Sequence, residues 1–189
     1  MIYLLRHGLD NEKYIGGWSD IPLTKEGIYQ VVNTASKIKQ NNNIKIKKVI
    51  ASNVRRAIQT AEIVTPIIGV TNFETSDILK EQNKGHLNGM EEIVAASLYP
   101  EYAKDKVTVD TVYPDGESLK NLYQRIKDNL DYFASLEDDT LLVTHRGIIN
   151  MLYYILNDIP LDMNKTQFSV THASLHACDI KNKQIRKVL

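Results

Sequence analysis

The feature that most limits how this chain can fold is an alternation of short strand-like runs with longer helical patterns. Runs of strand length lie at residues 2–5, 47–52 and 140–144. Helical periodicity follows them, as at residues 54–68. Parallel strands need a crossover connection, usually a helix, so this order predicts a mainly parallel sheet with helices on both faces. We therefore predict an α/β fold with three layers, α/β/α.

The remaining patterns complete the predicted element order. Thr24 is expected to cap a helix that ends near Lys39. The other predicted elements are a strand at residues 71–75, helices at 91–99, 117–136 and 147–156, and a strand pair within 168–189 that turns at 181–183.

The length and the absence of a linker bound the domain organisation. A chain of 189 residues suits one domain with a full core. No repeat and no Pro/Gly/Ser-rich linker divides the sequence, so we predict a single domain over residues 1–189. Residues 76–115 are expected to form a variable excursion of helix and loop.

The charge balance argues against some classes of partner. The chain carries 23 basic and 23 acidic residues, so no overall field favours nucleic acid or an acidic membrane. The apolar run at residues 2–5 is too short for a signal peptide or a membrane span. Cys178 is the only cysteine, which excludes an intrachain disulfide and fits a reducing compartment. We expect a soluble, cytoplasmic protein that binds neither nucleic acid nor membrane.

Histidine and arginine residues follow the ends of three predicted strands. Arg6 and His7 follow the first strand, Arg56 begins the helix after the second, and His145 and Arg146 follow the strand at 140–144. In open α/β sheets, ligands bind beyond the carboxyl ends of the strands. These side chains are therefore expected to meet at one rim of the sheet.

This set of residue types suits phosphate chemistry. The arginine fork matches phosphate oxygens, and a neutral histidine nitrogen can attack phosphorus. A carboxylic acid such as Glu81 can protonate a leaving oxygen and later deprotonate water. The amides that open the helix after His145 add donors for an anion. A metal site built from His7, His145 and Glu81 is disfavoured, because two arginines beside it would repel a divalent cation.

Six motifs in this order resemble those of the histidine phosphatase superfamily, also called phosphoglycerate mutase-like. They are LLRHG at 4–8, DIPLTKEG at 20–27, SNVRRAIQTA at 52–61, Leu79-Lys80-Glu81 followed by Gly85 and Gly89, PDGES at 114–118, and VTH at 143–145. The resemblance implies a phosphoglycerate mutase-like fold, a small phosphorylated substrate, and no metal or organic cofactor.

The resemblance also implies roles for individual residues. His7 would be the nucleophile that becomes phosphorylated, and His145 would face it and stabilise the transferring group. Arg6 and Arg56 would grip the phosphate oxygens. Glu81 would be the proton donor and then the base for water. These five residues form the predicted catalytic site.

This sequence departs from the family pattern after the RHG motif. Leu9-Asp10-Asn11 stands where Glu-Thr and, a few residues on, an asparagine are common. Asn11 is the candidate to replace a missing phosphate contact, although its spacing differs. Arg146 follows His145 where glycine is usual, and either adds charge at the rim or points to solvent.

Several other residues have two open interpretations. Trp18 either packs against substrate or anchors its loop, and His86 either lines the pocket or lies on the surface. His172 and His176 are four residues apart, which in a strand would place them on one face. We favour a structural role for that pair over a metal site, because no further ligand follows at a suitable spacing.

Three functions compete at this stage. We favour a phosphomonoester hydrolase, because the short chain is similar to compact members such as alpha-ribazole phosphatases. A cofactor-dependent phosphoglycerate mutase and a non-catalytic phospho-ligand-binding module are the alternatives. The tail strands could pair between chains, which leaves a homodimer open.

Overall fold

A single mixed sheet forms the centre of the molecule. The computed structural model describes residues 1–136, 139–164 and 167–189. Within these ranges, the strands are β1 (Ile2–Arg6), β2 (Lys48–Ser52), β3 (Glu74–Ser76), β4 (Thr140–Thr144), β5 (Leu175–Asp179) and β6 (Gln184–Lys187). Their order is β3-β2-β4-β1-β5-β6. The first four strands are parallel, β5 runs antiparallel to β1, and β6 runs antiparallel to β5. The predicted mainly parallel sheet is confirmed.

Helices cover both faces of this sheet. The α-helices are α1 (Lys25–Gln40), α2 (Arg55–Ile68), α3 (Glu92–Leu98), α4 (Leu119–Asp128), α5 (Leu130–Ser135) and α6 (Arg146–Leu156). Successive strand residues point to opposite faces, so Leu5 packs in a core cluster with α1 and α2, whereas Leu4 packs in another with α4 and α6. The three-layer α/β/α prediction is confirmed.

Side chains of residue types that favour N-caps accept hydrogen bonds at the N-termini of two helices. Thr24 Oγ1 accepts a hydrogen bond from the Gly27 amide at 3.0 Å and caps α1, as predicted. Ser118 caps α4 in a capping box with Asn121. These hydrogen bonds satisfy amides that have no partner within the helix.

Two predicted elements need correction. The third strand covers Glu74–Ser76 and not residues 71–75. The helix predicted at 117–136 is divided at Asn129, whose backbone leaves the helical region with φ −105° and ψ 13°. The Asn129 side-chain amide donates to the Arg125 carbonyl at 2.8 Å. Asparagine competes for backbone groups in this way, which apolar periodicity cannot reveal.

The excursion between β3 and α4 packs against the loop that follows β1. A small cluster of Leu87, Ala95 and Tyr113 forms its interior, with Ile15 packed against it. The Ile15 amide donates to the Met90 carbonyl at 2.8 Å. This hydrogen bond joins the loop after β1 to the excursion between β3 and α4.

The strand register brings four chain segments to one rim. Arg6 at the end of β1 pairs with Thr144 at the end of β4, and Ala51 of β2 pairs with Val143. Strand β5 runs antiparallel to β1, with Leu175 opposite Leu5. The turn before β5 therefore lies beside the end of β1. No helix among the described residues is long and apolar enough to cross a membrane.

Candidate active site

His7 lies buried at the end of β1 with one ring nitrogen unprotonated. Its Nδ1 lies 2.8 Å from the carbonyl oxygen of Gly8, which can only accept, so this nitrogen carries the proton. Its Nε2 accepts from Arg56 Nε at 3.2 Å. Burial, together with the charge of Arg56, holds the pKa of His7 well below its usual value. Nε2 is thus unprotonated at neutral pH, and its lone pair faces Arg56.

His145 lies beside His7 at the end of β4. The two ring centroids are 5.1 Å apart. His145 Nδ1 faces Arg56 Nη2 at 3.2 Å, and its Nε2 lies 2.8 Å from Ser52 Oγ at the end of β2. Burial and the charge of Arg56 also hold the pKa of His145 well below its usual value. Two neutral imidazoles therefore line the same rim.

Arg56 connects most of the groups at this rim. Its side chain is 2% exposed. Besides both imidazoles, it donates to the Gly17 carbonyl at 2.9 Å and pairs with the Asp10 carboxylate, its Nε lying 3.3 Å from Oδ2. A buried guanidinium needs such acceptors, because an unpaired buried charge is strongly destabilising.

Arg6 supplies a second guanidinium from the other side. Its Nη1 donates to the Val170 carbonyl at 3.0 Å, and its Nη2 lies 2.5 Å from His172 Nε2. Its Nε is buried without a hydrogen-bond partner among the described residues. Burial and the neighbouring Arg146 lower the pKa of Arg6 to about 10, so it remains charged at neutral pH. A phosphate oxygen is the kind of acceptor that this guanidinium fits.

Glu81 reaches the same rim from the segment after β3. Its Oε2 accepts from the Gly147 amide in the first turn of α6 at 3.0 Å, and its Oε1 accepts from the Gln82 amide at 2.9 Å. A Cβ on Gly147 would lie 1.9 Å from Glu81 Oε1, so only glycine allows this approach. The Gly147 amide that we predicted as an anion donor is thus occupied by the protein's own carboxylate.

The loop after β1 closes over Arg56 through residues 17–19. Gly17 has φ +54°, and a Cβ there would lie 2.2 Å from Asn88 Oδ1. Trp18 is 42% exposed, and its Nε1 donates to the Glu81 carbonyl at 2.7 Å. The Lys80 ammonium lies 4.5 Å from the Trp18 ring centroid. Trp18 therefore ties its loop to the segment that carries Glu81.

Two of the predicted site residues are not brought to this rim. Asn11 is exposed, and its Oδ1 accepts from the Lys13 amide at 3.2 Å within its own loop. His86 lies on the surface with Nε2 2.6 Å from Asp115 Oδ2. Arg146 is half-buried near Arg6, whose pKa its charge lowers. The Asn11 side chain turns back onto its own loop and does not join the other site residues, so its phosphate contact stays a prediction.

Asp10 and His172 belong to the site, although no site role was predicted for either. The centroids of the His7 and His172 rings are 5.7 Å apart, and Arg6 contacts His172 directly. His172 lies in the turn before β5, and not on a strand face with His176. His176 is buried with Tyr153 and Ser174. The favoured structural role thus fits His176 alone.

The arrangement suits an anion better than a metal ion. Ring nitrogens of His7 and His172 and a carboxylate oxygen of Asp10 lie within 4.8 Å of one another. However, Arg56 already donates to His7 and is ion-paired with Asp10, and Arg6 faces His172. Two guanidinium groups at these ligand atoms would repel a divalent cation.

A buried, neutral imidazole beside two arginines and a second imidazole defines an anion site of the kind that phosphoryl-transfer proteins use. The chain belongs to the histidine phosphatase superfamily (branch 1), whose family model matches residues 2–189. The predicted family is thereby confirmed.

Individual relatives include both mutase-named and phosphatase-named proteins. The probable phosphoglycerate mutase GpmB of Yersinia pestis is 34% identical over 169 residues, which cover 84% of this chain and 75% of that protein. A structure of a putative alpha-ribazole-5'-P phosphatase from Escherichia coli matches with TM-score 0.80 at 21% identity, covering 100% of this chain and 94% of that one. A mycobacterial glucosyl-3-phosphoglycerate phosphatase matches with TM-score 0.75 at 22% identity, covering 93% and 90%. These two structural likenesses show the fold.

Proposed function

We propose that this protein hydrolyses small phosphate monoesters through a phosphohistidine on His7. The observation that carries this proposal is the His7 Nε2 lone pair, which faces Arg56 while Nδ1 is held by the Gly8 carbonyl. A histidine fixed in this tautomer is prepared for nucleophilic attack. The phosphatase names among the structural neighbours support the same reaction class.

The first half of the reaction forms the phosphohistidine. Arg6 and Arg56 hold the phosphate oxygens of the substrate, and His7 Nε2 attacks phosphorus. A nitrogen–phosphorus bond forms while the phosphorus–oxygen ester bond breaks. Glu81 gives its proton to the departing alcohol oxygen, and the arginines and His145 stabilise the charge on the phosphoryl group.

The second half of the reaction returns the free enzyme. The Glu81 carboxylate takes a proton from water, whose oxygen attacks phosphorus and displaces His7 Nε2. Inorganic phosphate leaves, and Glu81 is again protonated. The small phosphorylated substrate and water are the only reactants that this scheme requires.

Phosphate release from a panel of phosphorylated metabolites tests the proposal. The panel is assayed with EDTA present, with His7→Ala as the control variant. We expect selective release by the wild-type protein and none by His7→Ala. Release that continues in His7→Ala, or that EDTA abolishes, would contradict the mechanism.

A phosphoglycerate mutase is the second candidate, because the GpmB relatives carry that name. A mutase must return the phosphoryl group from histidine to an acceptor before water attacks. Incubation with 3-phosphoglycerate and a bisphosphate primer separates the two activities. We expect phosphate release to exceed isomerisation, and the reverse result would favour the mutase.

A further inference from the structure

We propose that Asp10 contacts the bound phosphate as a neutral carboxylic acid, so that this protein takes up a proton when phosphate binds. The inference rests on the proposed function only in taking His7 and Arg56 as the phosphate site. It adds Asp10 as a titratable group whose protonation favours anion binding at this site.

The geometry places the Asp10 carboxyl at the edge of the space that a phosphate must fill. Arg56 Nε lies 3.2 Å from His7 Nε2 and 3.3 Å from Asp10 Oδ2. An Asp10 oxygen also lies within 4.8 Å of a His7 ring nitrogen. A phosphate ready for attack has its phosphorus about 3 to 3.5 Å from Nε2. Its oxygens therefore come into contact with the Asp10 carboxyl.

Two negatively charged groups cannot share this space at low cost. An ionised carboxylate only accepts hydrogen bonds, as does the phosphate, whereas a protonated carboxyl donates one. When like charges share a site, one of the groups binds a proton. The Asp10 side chain is only 13% exposed, so water cannot screen the repulsion.

The groups around Asp10 explain why its charge is tolerated in the free protein. Arg56 faces it from α2, Arg6 and His7 from the end of β1, Glu12 from its own loop, and His172 from the turn before β5. Burial raises the pKa of Asp10, and the charge of Arg56 opposes that effect. A bound phosphate engages Arg56, so the Asp10 anion loses its main compensation.

Sulfate binding measured by titration calorimetry tests the proposal without any turnover. Sulfate stays doubly charged between pH 5 and 8, so a proton taken up at binding enters the protein. Comparing two buffers with different ionisation enthalpies at pH 7 counts these protons. We expect wild-type protein to take up more protons than Asp10→Asn, by up to one.

The pH dependence of affinity gives a second readout. Binding coupled to one proton weakens by about tenfold per pH unit in the coupled range. Asp10→Asn, whose amide can donate at any pH, is expected to lose that slope and to bind sulfate more tightly than wild type at pH 8. Glu12→Gln is the matched control: it removes a carboxylate from the same loop, and the wild-type proton count should persist.

Direct observation of the carboxyl covers the case in which Asp10→Asn fails to fold. The carboxyl carbon resonance of Asp10 in wild-type protein, followed by NMR with and without sulfate, should titrate at higher pH when sulfate is bound. Sulfate binding with equal proton uptake in wild type and Asp10→Asn, or an unmoved Asp10 titration, would overturn this inference alone. Failure of wild-type protein to bind sulfate at all would overturn the phosphate site as well.

Discussion

Arg56 Nε donates to His7 Nε2 at 3.2 Å, and this contact fixes the orientation of the proposed nucleophile. The same guanidinium reaches His145 Nδ1 through Nη2 at 3.2 Å. One planar side chain thus holds two imidazoles whose centroids are 5.1 Å apart. A lysine carries the same charge but lacks the fork that makes these contacts together.

Replacing Arg56 by lysine is expected to lower kcat/KM by about 10² to 10³, the effect of removing a fixed donor from a charge-stabilising site. The Arg56→Lys variant loses both the guanidinium contact to phosphate and the hydrogen bond that aligns His7. Steady-state kinetics on the best substrate of the panel measure the change. Arg55→Lys is the control, because Arg55 is exposed and pairs with Asp20 on the surface, where ion pairs contribute little. A loss of the same size in both variants would contradict a special role for Arg56.

Gly147→Ala is expected to lower kcat at least about tenfold, because the new Cβ would lie 1.9 Å from Glu81 Oε1 and displace the carboxylate. Gly69→Ala is the control for replacing a glycine. Gly69 has φ +85° with open space around it, so its variant should lose about 1 kcal/mol of stability and keep its kcat. Unchanged kcat in Gly147→Ala would show that the position of Glu81 does not matter.

Glu81→Gln is expected to slow the hydrolysis of alkyl phosphates more than that of p-nitrophenyl phosphate. The nitrophenolate leaves without a proton, whereas an alkoxide needs one from a general acid. Comparing kcat/KM for the two substrates in wild type and variant isolates the proton transfer. Equal slowing of both substrates would argue that Glu81 is not the acid.

The buried His176, which lies outside the proposed site, is expected to make the stability of the fold depend on pH. Tyr153 Oη lies 2.9 Å from its Nδ1 and Ser174 Oγ lies 2.9 Å from its Nε2, which satisfies the neutral ring. Burial, with the charge of Lys187, lowers the pKa of His176 to about 4. Between about pH 4 and the ordinary histidine pKa near 6.5, the His176 imidazole binds a proton in the unfolded chain but not in the folded protein. The contribution of His176 to the free energy of unfolding is therefore fully present above about pH 6.5 and is lost as the pH is lowered.

Urea unfolding of wild type and His176→Gln at pH 7, 6 and 5 measures this effect. His176 contributes a slope of up to about 1.4 kcal/mol per pH unit below pH 6.5. We expect the free energy of unfolding to fall less steeply in His176→Gln. Parallel pH profiles for the two proteins would contradict the assignment of a neutral, buried His176.

Much of the fold and part of the site follow from local sequence patterns. Parallel strands end at a common rim, so the positions of Arg6, His7, Arg56 and His145 after strands predict their meeting without knowledge of the strand order. The apolar period continues through Asn129 and therefore does not predict the break there, which accompanies one side-chain hydrogen bond.

Local sequence patterns do not reveal that His172 and Asp10 belong to the site, because their positions depend on tertiary structure. His172 reaches Arg6 only because β5 runs antiparallel beside β1, a pairing between segments some 170 residues apart. Asp10 lies in an irregular loop, and only the folded loop shows that its carboxylate turns inward to Arg56 while Asn11 turns outward.

The central claim is that His7 carries the phosphoryl group, and rapid quenching with a labelled phosphate monoester tests it most directly. The phosphorylated protein is expected to be stable in base and labile in acid, as a phosphoramidate should be, with the label on the peptide that contains His7. His145→Ala should still label if it folds, since Nε2 of His7 remains, whereas His7→Ala should not. Label that persists in His7→Ala, or phosphate release by wild type without any labelled protein, would contradict the account.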